Sequence, residues 1–220
     1  VALLLLCAAY VLPGIFGRDP WRQEDITAFG YMLSLAEGRS PWLTPSLGGI
    51  PAHAALFPHW LGAVFIKALS PWIDPSLAAR LPFAALLALV LALTWYTTFQ
   101  LARTEAAQPV ALAFGGEAGT VDYARAIADA AVLALVASLG LLQLGHETTP
   151  ELAQLFGISL YLWALAAAPY RKWQVRGAAL AALVIVSGSN APSMALAAGL
   201  AGLLVCARSG YEQVRVHTPW

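Results

Sequence analysis

The chain has 220 residues, of which 60% are hydrophobic and only 11% charged, with a mean hydropathy of +0.69. A soluble domain runs nearer half apolar and a quarter charged, and one globule of this length cannot bury the excess, so lipid must solvate much of the surface. Twelve basic residues balance twelve acidic ones, which argues against a nucleic-acid partner.

Residues 1–16, VALLLLCAAYVLPGIF, form the first predicted span. There is no initiator Met, and neither a basic region nor a small-residue cleavage site brackets the run. No cleavable signal is expected, and the chain reads as part of a longer one. The next stretch, GRDPWRQEDITAFGYM (17–32), places Arg18, Asp19, Arg22, Glu24 and Asp25 close together. From Asp25 to Ala36 the residues Ile26, Phe29, Met32, Leu33 and Ala36 recur at helical spacing. Gly38 stands just beyond as a stop.

Residues 52–69, AHAALFPHWLGAVFIKAL, are apolar but carry His53, Pro58, His59 and Lys67. Charge bias favours an interfacial helix over a span. With a cytoplasmic start, an interfacial run leaves Arg103, Arg125, Arg171, Lys172, Arg176, Arg208 and Arg215 inside, whereas a spanning run leaves only Lys67 and Arg80 there. A reversed topology satisfies the same rule. On the interfacial reading 17–76 is one extracytoplasmic loop of amphipathic helices, with Trp21, Trp42, Trp60 and Trp72 at headgroup level.

Further spans are predicted at 77–101, 126–145 and 151–169, with shorter apolar runs at 177–187 and 191–207 forming a hairpin whose tip is SGSNAP. Residues 102–125 are a cytoplasmic loop. Cys7 and Cys206 lie in apolar runs without metal-ligand spacing and read as small buried hydrophobes. Asp129 is expected to pair with Arg125 one helical turn away. The expected architecture is all-α: a single polytopic domain over 1–220, with about six membrane helices. No internal repeat is visible and the spans at 77–101 and 126–145 are nearly free of polar residues, which weakens a transporter.

The order of pieces resembles the GT-C membrane glycosyltransferases, in the branch of aminoarabinose transferases and protein O-mannosyltransferases. The pieces are Trp21-Arg22-Gln23-Glu24-Asp25, Ser40-Pro41-Trp42-Leu43-Thr44-Pro45, Gly48-Gly49, Trp60-Leu61 and Ala78-Ala79-Arg80-Leu81-Pro82. They correspond to the N-terminal part of such an enzyme. The resemblance implies a polyprenyl-phosphate sugar donor and a lipid, glycan or protein acceptor. It also implies a site facing the periplasm of the bacterial inner membrane. An acidic residue of the first outer loop would act on the acceptor hydroxyl, which carries over to Glu24 and Asp25. Helical phasing from Phe29 points to Asp25, counting from Trp21 to Glu24, and Asp25 is preferred.

The sequence departs from the family where relatives carry Glu-Lys-Pro-Pro, reading His53-Ala54-Ala55-Leu56-Phe57-Pro58-His59 instead; it has Ser189-Asn190-Ala191-Pro192 for Thr-Lys-Gly-Pro. The donor phosphate would then be met by Arg18, Arg22 or Arg80, whose forks suit phosphate, with His53 and His59 as partial substitutes for the lysine. Plainer readings stand beside these. Glu24 and Asp25 suit a helix N-terminus, Arg18 and Arg22 suit snorkelling, and Arg80 suits a topological anchor. His146-Glu147 suits a solvated turn, a lining of the cavity from above, or one edge of a divalent-cation site for which two ligands are too few. A non-catalytic scaffold is the rival from another functional class.

Overall fold

The computed structural model describes residues 1–16, 19–52, 55–110 and 118–218. Arg18 and His53 lie outside the described residues. The fold is all-α apart from one short hairpin. Helix α1 is Ala2–Val11, α2 Gln23–Ala36, α3 Leu56–Leu69 and α4 Pro75–Ala102. The rest are α5 Thr120–Val136, α6 Leu139–Leu144, α7 Pro150–Ala167, α8 Trp173–Gly188, α9 Pro192–Arg208 and α10 Glu212–Arg215. Strands β1 Ser46–Leu47 and β2 Ile50–Pro51 pair antiparallel.

Helix α4 is the axis of the assembly. Asp74 caps its start by accepting from the Ser76 backbone N–H at 2.8 Å, and the Ser76 side chain and backbone together hold the Asp74 carboxyl below its usual range. Pro75 occupies the first turn, where its missing donor is harmless. Helices α3, α5 and α7 pack around α4, α8 packs on α7, and α9 packs on α8. The core joins Met32 of α2 and Ile66 of α3 to Ala78, Ala79, Phe83 and Leu87 of α4 and Leu152 and Ala153 of α7. Close approach fixes two of these contacts. A side chain at Gly62 would strike the Met32 thioether, and one at Gly157 would meet Val186 Cγ2 at 2.5 Å and the Ala182 carbonyl at 3.2 Å.

The helix predicted from spacing and those predicted from apolar runs are present, and the structure corrects one helix boundary and one side-chain pair. The span expected at 126–145 is not one helix: α5 begins earlier, at Thr120, and ends at Val136. The Ser138 hydroxyl donates to the Leu135 carbonyl at 2.7 Å, and Ser138 itself is extended; a serine bonding back in this way competes with continued helix. The chain restarts as α6. The expected Arg125–Asp129 pair is not formed either. Arg125 faces Asp122 at 3.4 Å, and Asp129 accepts from Trp95 Nε1 at 2.7 Å. The Trp95–Asp129 bond ties α4 to α5.

Gly38, at φ +70°, ends α2 as its position predicts. The β-hairpin was not predicted; it turns on Gly48 and Gly49, both at positive φ. It lies on α2, where Ser34 Oγ donates to the Ser46 carbonyl at 3.0 Å. Among the described residues one helix, Pro75–Ala102, is long and apolar enough to cross a membrane by length and composition. Four shorter apolar segments accompany it: Ala2–Gly14, Leu56–Leu69, Trp173–Gly188 and Pro192–Arg208.

Candidate active-site groove

The start of α2 is the junction of the molecule. Arg22 is its extended N-cap residue, which places Glu24 and Asp25 in the first turn, where the helix dipole favours carboxylates. The helical twist sends these neighbours to different surroundings. Asp25 turns inward and is 1% exposed. Its Oδ1 accepts from the Thr148 backbone N–H at 3.0 Å and from the Thr148 hydroxyl at 2.7 Å. Glu24 stays exposed and lines an open groove of about 750 Å³.

That groove runs between α2, α3 and the first residue of α7, and is walled by Arg22, Glu24, Thr27, Tyr31, His59 and Pro150 among others. Its volume lies within the range of small-molecule sites. Arg22 forms one rim and is held there by Glu147, 3.1 Å away and only 1% exposed. Tyr31 and His59 form the inner wall, their rings 5.1 Å apart and tilted by 41°. The Tyr31 hydroxyl faces the Ile50 and Pro51 carbonyls at 3.4 Å, so the hairpin braces the wall from behind.

His59 is buried, and its Nδ1 has no hydrogen-bond partner among the described residues. Burial pushes its pKa down to about 4. At neutral pH the ring is uncharged. It offers hydrogen bonds but not the positive charge of the lysine it was expected to stand in for. Because its native pKa is below the unfolded value of about 6.5, the unfolded chain takes up the proton first as pH falls. Stability contributed by the neutral ring is complete above pH 6.5 and is lost on going down to about 4, by on the order of 3 kcal/mol. Urea unfolding at pH 7 and pH 4.5 should show wild type losing more stability than His59→Gln over that interval. Equal losses would mean that the ring is not sealed in its neutral form.

Arg80 does not reach the groove. It is 5% exposed and borders a small cavity with Gly14, Ile15, Phe83, His146 and Thr148. His146 sits over Gly14, where any side chain would collide with its ring, and its Nε2 lies 2.9 Å from the Tyr10 carbonyl. The segment 146–148 therefore reaches two helices: His146 bonds to α1, and Glu147 and Thr148 to the start of α2. Expected as a turn, a cavity lining or a cation edge, it is a clasp. Thr148 carried no signal in the sequence, since it meets Asp25 across 123 positions of chain. Among the described residues no group of three or more His, Cys, Asp or Glu side chains gathers as metal ligands.

Of the residues singled out from sequence, the groove brings together Arg22, Glu24 and His59, with Asp25 and Arg80 behind it. No family model, no curated protein and no solved structure matches the chain.

Proposed function

We propose that the chain is the N-terminal part of a membrane glycosyltransferase that moves a sugar from a polyprenyl-phosphate donor to an extracytoplasmic hydroxyl. The reading draws on the order of sequence pieces given above and on one geometric observation: the exposed carboxylate of Glu24 and the guanidinium of Arg22 share an open groove at one end of an apolar helical bundle. Helices α8 and α9 present Leu180, Val184, Leu196, Leu200 and Leu204 outward, each more than half exposed. Such faces suit lipid as the surrounding solvent. On this reading α1, α4, α5 with α6, α7, α8 and α9 cross the bilayer of a bacterial inner membrane. Helices α2 and α3 lie at its periplasmic surface.

The acceptor oxygen attacks the anomeric carbon, and the bond from that carbon to the phosphate oxygen breaks. Polyprenyl phosphate leaves with the electron pair, and the hydroxyl proton passes to the base. Glu24 is the carboxylate that reaches the groove; Asp25, sealed against Thr148, serves to fix the turn from which Glu24 projects. Arg22 faces the leaving phosphate, where a forked donor stabilises developing charge. His59 and Tyr31 supply neutral hydrogen bonds and an aromatic wall for a sugar ring.

A non-catalytic scaffold is favoured by one fact only: Asp25 and Glu147 are already used to tie the start of α2 to the 146–148 turn. Filling the groove separates the readings. Thr27 is an exposed groove residue whose hydroxyl bonds only the Gln23 carbonyl, at 2.6 Å, one turn back. In the full-length protein Thr27→Trp should cut transfer from a radiolabelled polyprenyl-phosphate sugar at least tenfold by blocking substrate positioning, with an unchanged melting temperature. A folded variant with undiminished transfer would rule the groove out as the site.

A further inference from the structure

The far end of the bundle holds a second chemistry. Between Glu151 and Glu212 the sequence has no acidic residue, yet it has Arg171, Lys172, Arg176 and Arg208. Arg171 and Lys172 form the turn from α7 to α8. The other end of α8 is at the groove side, since Gly188 packs on Phe57 of α3. A helix of this length therefore puts the basic turn about 24 Å from that end.

Aromatic rings hold the cations in place. The Arg171 guanidinium lies 6.0 Å from the Trp163 ring and its Nη1 donates to Gln174 at 2.6 Å. Arg103 sits over Phe99 and Tyr170, at 5.3 and 5.6 Å. Trp173 is 68% exposed beside them. Among the described residues, no carboxylate forms an ion pair with Arg171 or Lys172.

An apolar slot of about 170 Å³ lies between α7, α8 and α9 and starts at Ala168 and Val175, which are three residues along the chain from Arg171 and Lys172 respectively. Leu165, Leu180, Leu183 and Leu203 line it, and Gly199 and Gly202 give it width. Arg176 stands at its rim, donating to the Val216 carbonyl at 3.0 Å and to His217 Nδ1 at 3.2 Å. From Arg176 to Leu183 the slot follows α8 for about 10 Å. Cations within one helical turn of the mouth of a hydrocarbon-lined slot match an amphiphile that carries negative charge at one end. A nucleic acid or an acidic protein would leave the slot and the exposed Trp173 unused.

We propose that the α7–α8 turn and this slot bind an anionic phospholipid, with the headgroup phosphate against Arg171 and Lys172 and an acyl chain along α8. The proposal rests on the membrane part of the functional reading and is independent of glycosyl transfer.

The test uses the full-length protein purified in neutral detergent. Retention of phosphatidylglycerol and of phosphatidylcholine with identical chains is read by native mass spectrometry. Wild type should prefer phosphatidylglycerol. Because each cation near a headgroup contributes about 1 kcal/mol, Arg171→Gln with Lys172→Gln should reduce that preference about 30-fold. Gly199→Leu, which projects toward Leu183 into the slot, should lower retention of both lipids and keep the preference among molecules still bound. Equal retention of the two lipids by wild type, or an unchanged preference in the double variant, overturns the site. Carbonate extraction of the wild-type chain from membranes distinguishes the remaining case. A chain released by carbonate overturns the membrane reading and the lipid site together. A chain that stays in the membrane without a lipid preference overturns the lipid site alone.

Discussion

Replacing Glu24 by Gln is expected to lower glycosyl transfer by about 10²- to 10⁴-fold, the contribution usual for a positioned general base, while leaving the melting temperature where it was. Glu24 is exposed, and among the described residues it makes no hydrogen bond or ion pair that the fold would miss. Its amide isostere fills the same space in the groove but cannot take a proton. Asp25→Asn should behave in the opposite way. The amide oxygen still accepts from Thr148, but the carboxylate that anchors the clasp is replaced by a weaker neutral acceptor. Unfolding free energy should fall by about 1–3 kcal/mol and transfer by much less than for Glu24→Gln. Both quantities are measured on the full-length protein, transfer with a radiolabelled polyprenyl donor and stability by denaturant titration. Loss of transfer in a stable Asp25→Asn protein, with Glu24→Gln active, would move the base to Asp25. If both variants transfer normally, the enzyme reading fails and the scaffold takes its place.

The split between these adjacent acids marks where the sequence stops being legible. Helical spacing located α2, and apolar run length located α4, α7, α8 and α9, to within a few residues, because both signals are written locally in the chain. The signal at 126–145 was equally apolar, yet a single hydroxyl at Ser138 breaks it, and hydropathy does not register a serine bonding back to Leu135. Helical phasing from Phe29 favoured Asp25 as the working acid. It fixed which side of α2 Asp25 occupies, but not what lies there. That side is filled by Thr148, whose place depends on where α6 stops and α7 starts. The burial of His59 was illegible for the same reason: its covering atoms come from other elements. Groove walls are assembled from distant segments, so a one-dimensional pattern names candidates and the packing sorts them.

Glu147→Ala should destabilise the protein by about 1–3 kcal/mol, less than Arg22→Ala, and transfer shows whether the groove is a rigid site. Breaking a buried ion pair costs about 3–5 kcal/mol, because an uncompensated charge stays behind. That range applies to Arg22→Ala, which leaves Glu147 sealed at 1% exposure without this partner, whereas Glu147→Ala costs less because the Arg22 side chain left behind is 32% exposed and can turn to water. A double-mutant cycle with Arg22→Ala, followed by denaturant unfolding, isolates the coupling between the two. Its value should change little between low and moderate salt, because counterions cannot reach a sealed carboxylate; a coupling that vanishes with salt would mean that the pair is only a surface contact. The functional consequence follows from position. Arg22 immediately precedes α2 and Glu24 is in its first turn, so releasing Arg22 lets the N-terminus of α2 move away from the clasp at 146–148 and carries the carboxylate with it. Transfer by Glu147→Ala should therefore fall even though residue 147 does not line the groove. Most of that loss should be in kcat, since a misplaced base leaves substrate binding largely intact.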